Sequence, residues 1–133
     1  MRPLHVLFVA AHRLGRAPGQ RFRFEQYLPW LEANGVRCTL APLLPTPQDD
    51  ALFYRSGAYA AKAWLLAQAL LRRLRLALHT TRFDVVFIHR SAFPIGPPLF
   101  EWLTRRPLVY DFDDAIWLPD ASAGNRRLAW LKN

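Results

Sequence analysis

The sequence predicts an α/β fold, a Rossmann-like parallel sheet flanked by helices. Two observations carry that prediction. Four strand-like segments, over residues 4–10, 36–43, 84–89 and 108–112, are separated by stretches with helical periodicity. Three of the four are near-continuous apolar runs, the pattern of strands covered on both faces rather than one. A β-α-β-α-β-α-β order then builds a doubly wound sheet with right-handed crossovers.

The first strand follows Met1-Arg2-Pro3. Its apolar run superficially resembles a leader segment, but it is short, carries His5 and has no small-residue cleavage site before Arg13. A helix is expected over 20–34, stopped at Gly35 in a left-handed cap, with Pro29 either kinking it or starting a new first turn. The second strand holds Cys38, the chain's one cysteine, which excludes a disulfide framework. Cys38 reads as a small buried hydrophobe, and the cysteine usage fits a reducing, cytoplasmic setting. Residues 42–57, with three prolines and two aspartates, read as a loop. A long helix covers 59–79, and a third, opened by two prolines, covers 97–106. Residues 1–120 therefore form one Rossmann-like domain, and 121–133 begin a further helical pattern (Leu128, Trp130, Leu131) that reads as truncated.

With 133 residues, 52% of them apolar, the chain can build a core, and disorder is excluded. The net charge of +8 comes from sixteen arginines and only two lysines. That balance favours an anionic partner: nucleic acid, anionic lipid or a phosphorylated small molecule. Nucleic acid is the least supported, because the aromatics fall on expected core positions rather than between basic residues. On the long helix, Lys62, Gln68, Arg72, Arg73, Arg75 and His79 gather on one side of a helical wheel, opposite Trp64, Leu66, Leu70, Leu71, Leu74 and Leu78. Leu65 and Leu76 fall on the polar side. Two readings stay open: a sheet-covering helix with a solvated basic side, or a basic and leucine-rich face lying on anionic lipid. Lys62, Gln68 and Arg72 interrupt the apolar stretch, so it is not expected to span a bilayer.

The strongest candidate site is the run from Pro107 to Trp117, in which the fourth strand ends in Asp111, Asp113 and Asp114 among aromatic and aliphatic neighbours. Ionised carboxylates are costly to bury without partners, and ligand crevices in open α/β sheets lie at the carboxyl ends of strands. The competing reading is a structural cluster that caps the next helix and pairs with arginines. After the first strand, the loop through Gly15 and Gly19 leads into a helix with Arg21 and Arg23, where cations would oppose the helix dipole and an external anion or the Asp cluster would offset them. No G-x-G-x-x-G fingerprint is present. The third strand brings His89 and Arg90 to the same edge. A metal is not expected, because alternation along the strand separates Asp114 from Asp111 and Asp113.

Taken together, Gly19-Gln20-Arg21-Phe22-Arg23, Gln26-Tyr27-Leu28-Pro29-Trp30-Leu31, Gly35, Asp84-Val85-Val86-Phe87-Ile88-His89-Arg90, Pro94 with Gly96-Pro97-Pro98, Glu101, and Tyr110-Asp111-Phe112-Asp113-Asp114-Ala115-Ile116-Trp117 carry a resemblance. The chain resembles the N-terminal domain of GT-B fold glycosyltransferases of the retaining family 4 group. That resemblance implies one half of a two-domain fold, shaping the acceptor site, while a C-terminal domain outside this chain binds most of the nucleotide-sugar donor. It implies no covalent cofactor and no metal. By this resemblance Asp113 and Asp114 take the catalytic positions, and Gly19, Arg21, Arg23, His89, Arg90 and Asp111 contact substrate. The sequence departs from the family pattern at Asp113, where many relatives have His, and at Ser91, where close look-alikes have Glu. The expected partners are a nucleotide sugar, a sugar acceptor, the second domain and an anionic membrane surface on its inner face, with no nucleic acid. The alternative is a non-catalytic Rossmann-like module that binds an anionic ligand.

Overall fold

The structure, a computed structural model, describes residues 2–45, 48–53 and 56–112. Four parallel strands, β1 (Leu4–Ala10), β2 (Val36–Pro42), β3 (Val85–His89) and β4 (Leu108–Asp111), form one sheet in the order β2-β1-β3-β4. The expected α/β architecture is therefore present, and each strand falls within a residue or two of the apolar run that predicted it. The chain leaves β1 toward β2 on one side and returns to β3 on the other. The strand order reverses between β1 and β3, and in open α/β sheets ligands bind outside the carboxyl ends of the strands at such a reversal.

Parallel pairing sets the register. Leu7 stands opposite Thr39 and Val86, and Val9 opposite Ala41 and Ile88. Successive side chains point to opposite faces, so Leu7, Val9, Val86 and Ile88 share one face with Phe83, Ala77 and Phe100. Phe8, Ala10 and Phe87 share the other with Phe24, Leu28 and Leu31. The central strand is covered on both sides, which is why it reads as a continuous apolar run.

The helix expected over 20–34 is broken into α1 (Pro18–Arg23), a 3₁₀ turn at Glu25–Tyr27 and α2 (Leu28–Ala33). Pro29 lies in the first turn of α2, where its missing N–H costs nothing and its fixed φ suits a helix start. Gly35 ends α2 at φ +81, its N–H donating to the Glu32 carbonyl at 3.1 Å, as the left-handed cap predicts. The segment read as a loop over 42–57 instead contains α3 (Gln48–Phe53), whose first turn carries Asp49 and Asp50. Acidic residues there complement the helix dipole. The third helix is shorter than expected: α5 spans Leu99–Leu103. Thr104 Oγ1 donates to the Phe100 carbonyl at 2.7 Å, and Thr104 itself turns extended.

The long helix, α4 (Tyr59–Leu78), has the predicted extent but faces the sheet with a different side. Its buried residues are Ala69, Arg73 and Ala77. Leu65 and Leu76, expected on the polar side, pack against the core, while Trp64, Leu71 and Leu78 are exposed. Leucines surround this helix, so its periodicity points weakly. Small Ala69 and Ala77 let the helix approach the sheet, and Arg73 finds acceptors there. Among the described residues no helix is long and apolar enough to cross a membrane. The pattern expected over 121–133 lies outside the described residues.

Candidate functional site

The carboxyl edge of the sheet collects the charged groups that strand ends and loops supply. Register places His89, the last residue of β3, directly opposite Asp111, the last of β4. The two share the sheet face of Phe87, and α1 lies over that face through Phe24, whose ring meets the His89 ring edge-on at 5.8 Å. Arg23, next to Phe24, then reaches Asp111: its Nε donates to Oδ2 at 3.1 Å and its Nη2 pairs with Oδ1. His89 Nδ1 lies 3.0 Å from the same Oδ2.

A carboxylate accepts only, so the bond is satisfied when His89 carries its proton on Nδ1. In the neutral ring this leaves Nε2 as the acceptor for a ligand hydroxyl. The Arg23 guanidinium, aided by His89 and opposed by partial burial, holds the Asp111 carboxyl below the usual carboxylate range. Asp111 is thus a charged, doubly engaged group that orients His89 rather than a free base. The backbone continues the link, since Arg90 N–H donates to the Asp111 carbonyl at 2.8 Å. Arg90 adopts φ +66, a strained conformation for a side chain of its size.

A second guanidinium stands at the same edge, on the other face of the sheet. Arg73 is 3% exposed and donates to three carbonyls: Nη2 to Ala10 at 2.7 Å, Nη1 to Ala41 at 2.9 Å and Nε to Ala92 at 2.8 Å. These carbonyls belong to the ends of β1 and β2 and to the loop after β3. Burial draws the guanidinium down to about 10, partly offset by Glu101, so it stays charged at neutral pH. Glu101 also bonds the Tyr110 hydroxyl, which burial and then that carboxylate push up to about 12.

The loop from β1 to α1 is held from inside. Buried Gln20 donates to the His12 carbonyl at 2.9 Å and to Glu25 Oε1 at 2.6 Å. The Gly15 N–H donates to Glu25 Oε2 at 2.9 Å. Fully buried Asp49 accepts from Arg13 Nε at 2.7 Å and lies 3.7 Å from Arg16 Nε, while Arg16 also pairs with Asp50. His12 Nδ1 is buried with no hydrogen-bond partner among the described residues. Burial lowers the His12 pKa, Asp49 opposes this, and Arg16, His89 and Arg90 add to it. His12, His89 and Arg90 therefore share one electrostatic environment.

Of the residues singled out in the sequence, Arg23, His89, Arg90 and Asp111 converge. Gly19 and Arg21 do not join them: both are exposed on α1. Gly19 is helical rather than part of an anion-cradling loop, and Arg21 and Arg23 occupy the last turn of α1, where the dipole favours cations. The expected conflict with the dipole does not arise, because α1 is only six residues long. Asp113 and Asp114 lie outside the described residues. Among the described residues no group of three His, Cys, Asp or Glu side chains is arranged to hold a metal.

Sequence reasoning missed Arg73, Asp49, Gln20 and His12. A signal existed for Asp49, since paired aspartates after prolines mark a helix start. None existed for Arg73, because beside Arg72 and Arg75 in a leucine-rich helix it reads as part of a solvated basic side. Comparison of the chain with protein-family models, with curated proteins and with solved structures returned no match.

Proposed function

We propose that this chain is the acceptor-side domain of a nucleotide-sugar-dependent, retaining glycosyltransferase of the GT-B type. It would seat a glycan, lipid-linked or small-molecule sugar acceptor, while a second Rossmann-like domain binds most of the donor. The observation that carries the reading is the Arg23–Asp111–His89 arrangement at the carboxyl edge. An orienting carboxylate holds the imidazole by Nδ1 and leaves Nε2 to meet a hydroxyl, the group that every sugar acceptor offers. The sequence resemblance runs through the same three residues.

Charge balance also favours a hydroxyl-rich ligand over a phosphate here. Arg13, Arg16 and Arg23 each already meet a carboxylate, so this edge is less cationic than the net charge of +8 suggests. In this reading Asp113 and Asp114 keep the catalytic positions implied by the resemblance, and no metal or covalent cofactor takes part.

The test is an NMR titration of the 133-residue chain with a panel of mono- and disaccharides and, separately, with UDP. The expected result is saccharide-dependent shifts at His12, His89, Arg90 and Asp111 that Asp111→Asn abolishes, with little response to UDP. Tight UDP binding at this edge without any saccharide response would replace the proposal by the anionic-ligand module. Sugar transfer from a nucleotide sugar by this chain alone would overturn the half-enzyme reading.

A further inference from the structure

The outward side of α4 carries a feature that the strand-end site does not use. With Ala69, Arg73 and Ala77 against the sheet, Trp64, Leu71 and Leu78 point away from it and are 66%, 55% and 64% exposed. A seven-residue spacing keeps them close to one line along the helix. The helix contains no aspartate or glutamate. At its C-terminal end, Arg72, Arg75, Leu76, His79 and Arg82 line an open groove of about 370 Å³. Among the described residues Arg72, Arg75 and Arg82 meet no carboxylate: Arg72 reaches Gln48 Oε1 at 3.5 Å, and Arg82 lies over the Phe83 ring at 5.2 Å.

A tryptophan-bearing apolar line bordered by unopposed cations is complementary to a layer with hydrocarbon beneath negative charge. Trp64 suits the interface because its ring is apolar while its N–H stays near water. We propose that the outward face of α4 docks on an anionic lipid bilayer. Trp64, Leu71 and Leu78 enter the boundary between headgroups and acyl chains, and Arg72, Arg75 and Arg82 take the headgroup phosphates. The helix lies in the membrane plane. A nucleic-acid duplex would use the same arginines but leave the apolar line in water, so it fits the surface less well. The groove shares no lining residue with the Arg23–Asp111–His89 site, and the proposal does not rest on the function proposed above.

The experiment is co-sedimentation of the whole chain with vesicles of phosphatidylcholine alone or mixed with phosphatidylglycerol, at low and high salt. Binding is expected only to the mixed vesicles, falling as salt rises. The triple change Arg72→Gln, Arg75→Gln, Arg82→Gln should weaken it on the order of a hundredfold, about fivefold per arginine beside an anionic leaflet. The change Trp64→Ser, Leu71→Ser, Leu78→Ser should abolish binding while far-UV circular dichroism stays unchanged, since all three side chains are exposed. Failure to bind the mixed vesicles would overturn the proposal, as would undiminished binding by the apolar triple variant. Binding of that variant to duplex DNA with wild-type affinity, where vesicles fail, would assign the surface to nucleic acid instead. Should the apolar variant not fold, the arginine variant and the salt series decide.

Discussion

Arg73 and Arg23 bring guanidinium groups to the same edge of the sheet, from opposite faces and with opposite surroundings. Arg73 is buried and meets only backbone carbonyls, one from each of three segments that end at this edge. Arg23 is 42% exposed at its side chain and meets a carboxylate that also holds a histidine. A desolvated cation with each of its three nitrogens already bonded to a carbonyl has little left for a ligand, so Arg73 acts as a clamp on the strand ends. A partly solvated pair can exchange partners when a ligand arrives. The difference separates the residue that shapes the edge from those that offer chemistry on it.

The largest expected effect comes from Arg73→Met. It fills the space but leaves three carbonyls without their donor, and should cost about 3–5 kcal/mol in urea unfolding. A cost below about 1 kcal/mol would mean that water replaces the guanidinium, and the contrast with Arg23 would fail. Arg73→Lys should fall between, because an ammonium cannot match the planar fork.

Next comes Asp49→Ala, expected to cost about 2 kcal/mol. Arg13 and Arg16 lose their buried carboxylate but are about a third exposed, so water compensates in part. The check is the denaturation midpoint, together with faster proteolysis in the β1–α1 loop.

Asp111→Asn should cost only about 1 kcal/mol at neutral pH, because solvent screens the half-open Arg23 pair. Its pH dependence is the sharper readout. The folded carboxyl titrates below its unfolded value, so the stabilisation is present above the ordinary carboxylate range and is lost as pH falls through the folded value. Urea midpoints for wild type and variant should therefore converge on acidification. A gap that stays constant with pH would show that the pair contributes packing rather than charge.

Arg75→Gln and Trp64→Ser, on the outward side of α4, should change stability by no more than about 0.5 kcal/mol. A larger loss by thermal unfolding would mean that this face is packed against the fold.

Much of the fold was legible in the chain. The apolar runs located β1 and β3, Gly35 located the end of α2, and the loop residues between them gave the order of elements. Pro29 announced a break whose form, a 3₁₀ turn and a fresh helix start, needed the packing of Phe24 and Leu28 against Phe8. The orientation of α4 was not legible, since apolar residues lie on all its sides and periodicity alone picked the wrong stripe. His89, Arg90 and Asp111 could be assigned to one edge from strand ends alone. Their pairing could not, because it depends on register between strands that are distant in sequence.

By itself, the sequence determined the class of fold, the order of elements, the single-cysteine chemistry and the basic balance of charge. These follow from local properties: apolar run length, turn residues and residue counts. Only the tertiary structure decided which arginine is buried, which face of α4 meets the sheet, and that Arg23, Asp111 and His89 meet at one edge. Those depend on long-range register and on carbonyl acceptors that exist only once separate strands end side by side.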